Sequence, residues 1–159
     1  MVEATKEAYE IRQAAFPAPT KTSTATIHGF PTTATTLYFA DKILVTVTQN
    51  GRLAHWVHVP LDIAATDDSL MSNPYHDRDP DDPSSDLLPM HQLTATTILG
   101  GTVPELDVLG QTLATNIASA IKTRNERELR TVVLGTGLDK SMSGREEFSE
   151  LVGLVLDVL

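Results

Sequence analysis

The amino-acid sequence predicts an α+β domain: a mainly antiparallel, six-stranded sheet with two helices on one face. The first half of the chain contains short runs of β-branched residues separated by turn residues, without helical periodicity. The second half alternates between strand-like and helix-like patterns. Strands followed by such an alternation are typical of α+β domains. Because two helices cover only one face of a six-stranded sheet, the other face is left for solvent or for dimerisation.

Four strands are expected in the first half. They are residues 22–28, 32–39, 42–49 and 52–59. Asn50 and Gly51 separate the last two of these runs. An Asn-Gly pair between β-branched runs is the strongest short hairpin signal, because both turn positions require positive φ. We therefore expect the third and fourth strands to form a hairpin.

The second half is expected to form a strand, a helix, a strand and a helix. These are the strand 92–99, a helix with an apolar stripe over 106–120, the strand 129–135 and a helix with a stripe over 148–156. Thr102 with Glu105, and Ser143 with Glu146, have the spacing of capping boxes. The spacing predicts that these residues cap the two helices.

Alternation along the strands divides the sheet into two faces. Ile43, Val45 and Val47 form an aliphatic face that is expected to meet the helices. The opposite face provides the candidate dimer-interface residues, which are Trp56, Tyr38, Leu44, Thr46 and Thr48. An amphipathic aromatic side chain on such a face favours a protein contact. The alternative is an ordinary solvated face with one exposed Trp.

The acidic charge is concentrated in one segment. The chain has 159 residues and a formal net charge of −9. Residues 62–86 contain eight Asp, one Arg and no Lys, which gives −7 and leaves −2 for the rest. We expect a flexible N-terminal arm over 1–21 and a single domain over 22–159, with 62–90 an acidic Pro/Asp/Ser-rich loop insertion.

Composition also excludes several classes of protein. The chain contains no Cys, so it forms no disulfide and no Cys-based zinc site. The negative charge disfavours binding to nucleic acid by phosphate neutralisation. No apolar run reaches the length of a membrane span, and the first residues do not resemble a secretion signal. We expect a soluble protein of the cytoplasm, or of the cytoplasm and nucleus, that binds neither nucleic acid nor membrane.

No grouping of residues predicts catalysis, a cofactor or a metal. His55 and His58 lie three positions apart on one strand and therefore point to opposite faces. Asp77, Asp79 and Asp81 match only the start of a calcium loop. Residues 135–141 follow a strand like a phosphate loop but lack its glycine spacing. No Ser lies in a Gly-x-Ser-x-Gly elbow.

Six short blocks of sequence follow one another along the chain, at residues 29–32, Phe39, 43–52, 97–100, 131–134 and 139–142. In this order they resemble the proteasome assembly chaperone 3 family, as a fungal-type member with an acidic loop insertion. Together they extend over most of residues 22–159.

The resemblance implies a non-enzymatic chaperone. Members dimerise, usually with the related assembly chaperone 4, and bind α-subunits of the 20S core particle to promote α-ring assembly. The partners implied here are therefore that subunit or a second copy of the chain, and 20S α-subunits. The loop of Asp139, Lys140 and Ser141 is the candidate partner contact, and the alternative is a helix N-cap turn. Two other functions remain open, a scaffold subunit of another complex on a similar fold and a small hydrolase.

Overall fold

The computed structural model describes residues 18–62 and 92–159. The described strands are β1 Thr20–Ile27, β2 Phe30–Tyr38, β3 Lys42–Gln49, β4 His55–Pro60, β5 Thr96–Leu99 and β6 Thr131–Gly137. The helices are α1 Pro104–Arg124 and α2 Arg145–Leu156, with a 3-10 turn over Lys140–Ser143. Most of the predicted N-terminal arm and of the acidic insertion, including the calcium-like Asp77, lies outside the described residues.

The strands form one open mixed sheet in the order β1-β2-β3-β6-β4-β5. All neighbouring strands are antiparallel except β3 and β6, which are parallel. The predicted α+β class, the six strands and the two helices are confirmed. The chain reaches β6 from β5 through α1, which is the kind of long connection that places a strand beside a parallel neighbour.

The predicted hairpin between β3 and β4 is wrong. Asn50 and Gly51 do take positive φ, at 55° and 66°, but β6 lies between the two strands that they connect. The connection therefore crosses the end of β6, where the Ala54 N–H donates to the Thr136 carbonyl oxygen at 2.9 Å. A turn sequence fixes only the local reversal of the chain. β6 is mostly buried and gains a hydrogen-bonded neighbour on each side by lying between β3 and β4.

A different residue pair forms a two-residue hairpin turn. His28 and Gly29 take positive φ, at 49° and 81°, between Ile27 and Phe30, which pair across β1 and β2. The predicted strand 22–28 included His28, which lies instead in this turn. Two positive φ values in succession are what a tight hairpin requires.

Both helices cover the same face of the sheet, as predicted. α1 packs on β4, β5 and β6, while α2 packs on β1 and β2 and also contacts α1. The core between the layers is aliphatic. Its fully buried members include Val45, Val47, Val57, Val59, Val132, Leu134, Leu113, Leu151 and Val155. One face of the sheet is thereby sealed, and the other is left open.

Neither predicted capping box forms. α1 is capped by Val103 and α2 by Gly144, and neither cap makes a side-chain hydrogen bond to its helix. Each helix begins one residue later than a capping Thr102 or Ser143 would require. Pro104 does lie in the first turn of α1, where its missing N–H costs no hydrogen bond.

Tyr38 does not lie on the open face, so its predicted placement is wrong. It pairs with buried Ile43 and packs against the helix-side core. The Arg130 guanidinium lies 5.7 Å from the centre of its ring and donates to the Phe39 carbonyl oxygen at 2.9 Å. Tyr38 lies two and four positions after buried Thr36 and Ala34 on β2. Because side chains alternate along a strand, all three point to the helix side.

The ion pair between Glu128 and Arg130, beside Tyr38, makes the stability of the fold depend on pH. The Glu128 carboxylate accepts two hydrogen bonds of 2.8 Å from Arg130, and these lower its pKa to about 2. A lowered pKa stabilises the fold above the unfolded-state value and loses that contribution as pH falls toward the folded value. We expect Glu128→Gln to reduce the free energy of unfolding by about 1 kcal/mol at pH 7.

Urea denaturation between pH 7 and pH 2 tests this expectation. The difference between wild type and Glu128→Gln should shrink below about pH 4.5, where unfolded glutamate begins to bind protons. Glu126→Gln removes the same charge from an exposed position in the same loop and is the control. A difference that persists at pH 2 would contradict the assignment to this ion pair.

Candidate interaction surface

The open face of the sheet is the principal candidate site. Register places its side chains in two long rows that cross all six strands. One row is Thr20, Leu37, Leu44, Val133, His58 and Thr96. The other is Thr22, Thr35, Thr46, Gly135, Trp56 and Leu99. We call the two rows, with the flanking Thr24, Thr33 and Thr48, the open face.

The open face divides into a polar and an apolar half. On β1 and β2, the threonine hydroxyls pair across the strands, Thr22 with Thr35 at 3.1 Å and Thr24 with Thr33 at 3.2 Å. On β6, β4 and β5 the surface is mainly Val133, Trp56 and Leu99. The two rows and their flanking threonines contain no Asp, Glu, Lys or Arg. Lys42, which points to the same side as Leu44, lies at one end of β3 in an ion pair with Asp41. A partner can therefore cover the rows without burying an unpaired charge.

Trp56 lies across the centre of the apolar half. Gly135 is its register neighbour on β6, and a Cβ at Gly135 would lie 2.8 Å from the indole ring. The absent side chain therefore provides the space in which the ring rests. Leu99 pairs with Trp56 on the other side and is 65% exposed. An aromatic ring held in one orientation beside an exposed aliphatic side chain is a suitable anchor for a protein contact.

A polar cluster on the helix side holds β5 in place. Asp107 of α1 accepts a hydrogen bond from the Thr97 hydroxyl at 2.7 Å, and its carboxylate lies 3.0 Å from Nε2 of buried His55. The Gln111 amide donates to the other carboxylate oxygen at 2.9 Å. The Thr97 hydrogen bond, followed by those from Gln111 and His55, lowers the pKa of Asp107. Thr97 lies two positions before Leu99, so this cluster helps to place Leu99 beside Trp56.

The loop of Asp139, Lys140 and Ser141 lies at the end of β6 and is exposed. Asp139 caps the 3-10 turn by accepting from the Ser141 N–H at 3.0 Å, and this hydrogen bond lowers its pKa. The Asp139 N–H donates to buried Gln49 at 2.8 Å. The capping turn that the sequence suggested as an alternative is therefore present. It leaves the Lys140 side chain available for a contact.

The sequence identified part of the open face and missed the rest. Trp56, Leu44, Thr46 and Thr48 lie there as expected. His55 and His58 point to opposite faces, also as expected. The missed residues are Leu37, Val133, Leu99 and the threonines of β1 and β2. Threonine recurs at every second position from Thr20 to Thr26, and this alternation could have assigned one side of β1 to the open face. The position of Leu99 follows only from the register of β5 against β4.

Two further findings concern other kinds of site. Within residues 18–62 and 92–159, no three His, Asp or Glu side chains are close enough together to hold a metal ion. In the same residues, neither helix combines the length and the hydropathy that a bilayer-spanning segment needs.

Comparison with known families identifies the chain. The family model for proteasome assembly chaperone 3 matches residues 45–156, which is more than half of the sequence. The chain belongs to this family. The match extends from β3 to the end of α2 and includes Trp56, Leu99, Val133 and the Asp139 loop. β1 and β2, which form most of the polar half of the open face, lie before it.

A solved structure has the same fold as this family member. It is a chain of the crystal structure of a novel chaperone complex for yeast 20S proteasome assembly, and it superposes with a TM-score of 0.52 at 12% sequence identity. The alignment covers 87% of the present chain and 97% of the other. No curated protein sequence matches the chain. Family membership supports a role as a proteasome assembly chaperone.

Proposed function

We propose that the protein is a non-enzymatic proteasome assembly chaperone that dimerises through its open face. The partner is either a related assembly chaperone 4 subunit or a second copy of the chain. In this proposal the dimer binds 20S α-subunits and promotes assembly of the α-ring in the cytoplasm or nucleus. The Asp139–Ser141 loop contributes to the α-subunit contact through Lys140.

The observation that carries the proposal is an uncharged sheet face with an oriented aromatic side chain at its centre. Burial of charge opposes association, and here the charged side chains lie at the rim and on the helix side. Trp56 and Leu99 together supply an apolar anchor of the kind that dominates protein interfaces. A chaperone needs only such a binding surface and no catalytic group.

Binding to purified components tests the proposal. The measurement is the molar mass of the chain alone, with the chaperone 4 partner, and with individual 20S α-subunits, by size-exclusion chromatography with light scattering. Trp56 is the sole Trp of the chain, so its emission should shift to shorter wavelength when the chain self-associates. An α-subunit should co-elute with the dimer, and Lys140→Glu should weaken that complex about tenfold, which corresponds to about 1.4 kcal/mol.

Two outcomes would contradict the proposal. A chain that remains a monomer with and without the partner, with unchanged Trp56 emission, would exclude dimerisation through the open face. A dimer that binds none of the α-subunits would favour a scaffold subunit of another complex. Arg127→Glu is the control for Lys140→Glu, because Arg127 is also exposed, on the loop after α1.

A further inference from the structure

The outer edge of β1 forms a groove with α2. Among the described strands, β1 is terminal in the sheet and pairs with β2 alone. Its residues 23–27 line a groove of about 420 Å³ whose other wall is Glu150, Gly153 and Leu154 of α2, together with Asp157, the residue that caps the end of α2. Since five consecutive strand residues line it, the groove follows the backbone edge and not one face of the strand. That edge presents hydrogen-bonding groups that no described strand uses.

β1 is better suited to accept another strand than the opposite edge of the sheet. It has eight residues in continuous register with β2, and it contains no proline. β5 at the other edge has four residues, and its register with β4 shifts between Trp56 and Val57. Short and irregular edges resist strand addition, whereas long regular edges permit it.

The α2 wall of the groove determines what can bind. Glu150 and Asp157 carry negative charge on this wall, and neither has an ion-pair partner within the described part of the chain. Leu154 and Ile27 are almost completely buried and form an apolar floor. Gly153 has no neighbour within 4 Å of the position of a Cβ, so the groove is unobstructed at this point.

We propose that this groove is a strand-addition site that binds an extended, basic segment of a partner protein. The segment pairs its backbone with β1, and its Lys or Arg side chains on the α2 side reach the two carboxylates. Side chains of a strand alternate between faces, so the basic residues recur at every second position. The site goes beyond the proposed function, because it lies at the sheet edge and does not require dimerisation through the open face.

A synthetic peptide provides a defined probe. We expect the acetylated and amidated octapeptide Thr-Lys-Val-Lys-Val-Lys-Val-Thr to bind the full-length chain, as measured by isothermal titration calorimetry. It should also slow hydrogen exchange of β1 amides. Replacing its three Lys by Glu should weaken binding at least tenfold. The affinity should fall as salt is increased, because partly exposed charges are screened.

Backbone methylation distinguishes strand addition from charge attraction. Alternate N–H groups of a strand point to the same side. Of two N-methylated peptides, one modified at odd and one at even positions, one should therefore lose binding at least tenfold and the other should retain it. Equal affinities for both versions would overturn the proposal, since a purely electrostatic contact does not distinguish them.

Variants of α2 complete the test. The position of a Cβ on Gly153 is open, so we expect Gly153→Leu to fill the groove and abolish peptide binding while the melting temperature is maintained or raised. Glu150→Gln with Asp157→Asn should weaken binding at least tenfold, and Glu146→Gln, on the exposed first turn of α2, should not. Trp56→Ala should also leave peptide binding unchanged. Unaltered binding to Gly153→Leu, or protection of β1 by a second copy without peptide, would overturn the proposal.

Discussion

Gly137→Ala is expected to reduce the free energy of unfolding by about 3 kcal/mol, at the upper end of what overpacking by one methyl group costs. Gly137 is the last residue of β6. A Cβ there would overlap the carbonyl group of Arg52, which belongs to the connection between β3 and β4. The backbone fixes the position of the Cβ, and its neighbour is a backbone carbonyl group, so no side-chain rotation can relieve the clash. The β3–β4 connection must therefore shift away from the end of β6.

Equilibrium urea denaturation of purified protein measures this effect. Gly153→Ala adds the same methyl group to an open position of α2 and should raise stability by up to about 1 kcal/mol, because alanine favours helix over glycine. The two variants therefore make the same chemical change with opposite expected signs. A loss below about 1 kcal/mol for Gly137→Ala would show that the β3–β4 connection does not pass closely over β6.

The passage of the β3–β4 connection over the end of β6 could not be predicted from the sequence. The run 42–49 coincides with β3, and Asn50-Gly51 forms a turn with positive φ, because both depend on local interactions. Strand order depends on where β6 pairs, some 80 residues later in the chain. Nothing within the turn sequence carries that information. The hairpin prediction failed because a distant strand competes for the same edge of β3.

The open face was predictable to the extent that it follows strand parity. Leu44, Thr46 and Thr48 were assigned correctly from alternation within β3. Tyr38 was misassigned, because its face depends on the register of β2 against β3. Leu99 was missed because the register between β4 and β5 shifts beside it. Parity within a strand is local, whereas register between strands is a tertiary property.

Thr46→Arg is expected to weaken dimerisation at least 100-fold. Thr46 lies near the middle of the open face, between Thr35 and Gly135 in register, and its side chain is half-buried. In the proposed dimer, an arginine at this position extends into the contact that the open face makes with its partner. Neither the helix-side core nor any of the hydrogen bonds described here requires the Thr46 hydroxyl. Burying an unpaired charge costs several kcal/mol. A 100-fold change in affinity corresponds to about 2.8 kcal/mol, at about 1.4 kcal/mol per tenfold step. The cost of burying the charge exceeds this amount.

Sedimentation velocity over a range of concentrations measures the dissociation constant, and the chaperone 4 partner is tested in the same way. Thr112→Arg adds the same charge to the exposed side of α1 and should leave the dimer unchanged. Trp56→Ala should weaken dimerisation at least tenfold, as expected for a central aromatic anchor, with a smaller effect on folding. If Thr46→Arg and Trp56→Ala both dimerise as tightly as wild type while remaining folded, the dimer interface does not lie on the open face.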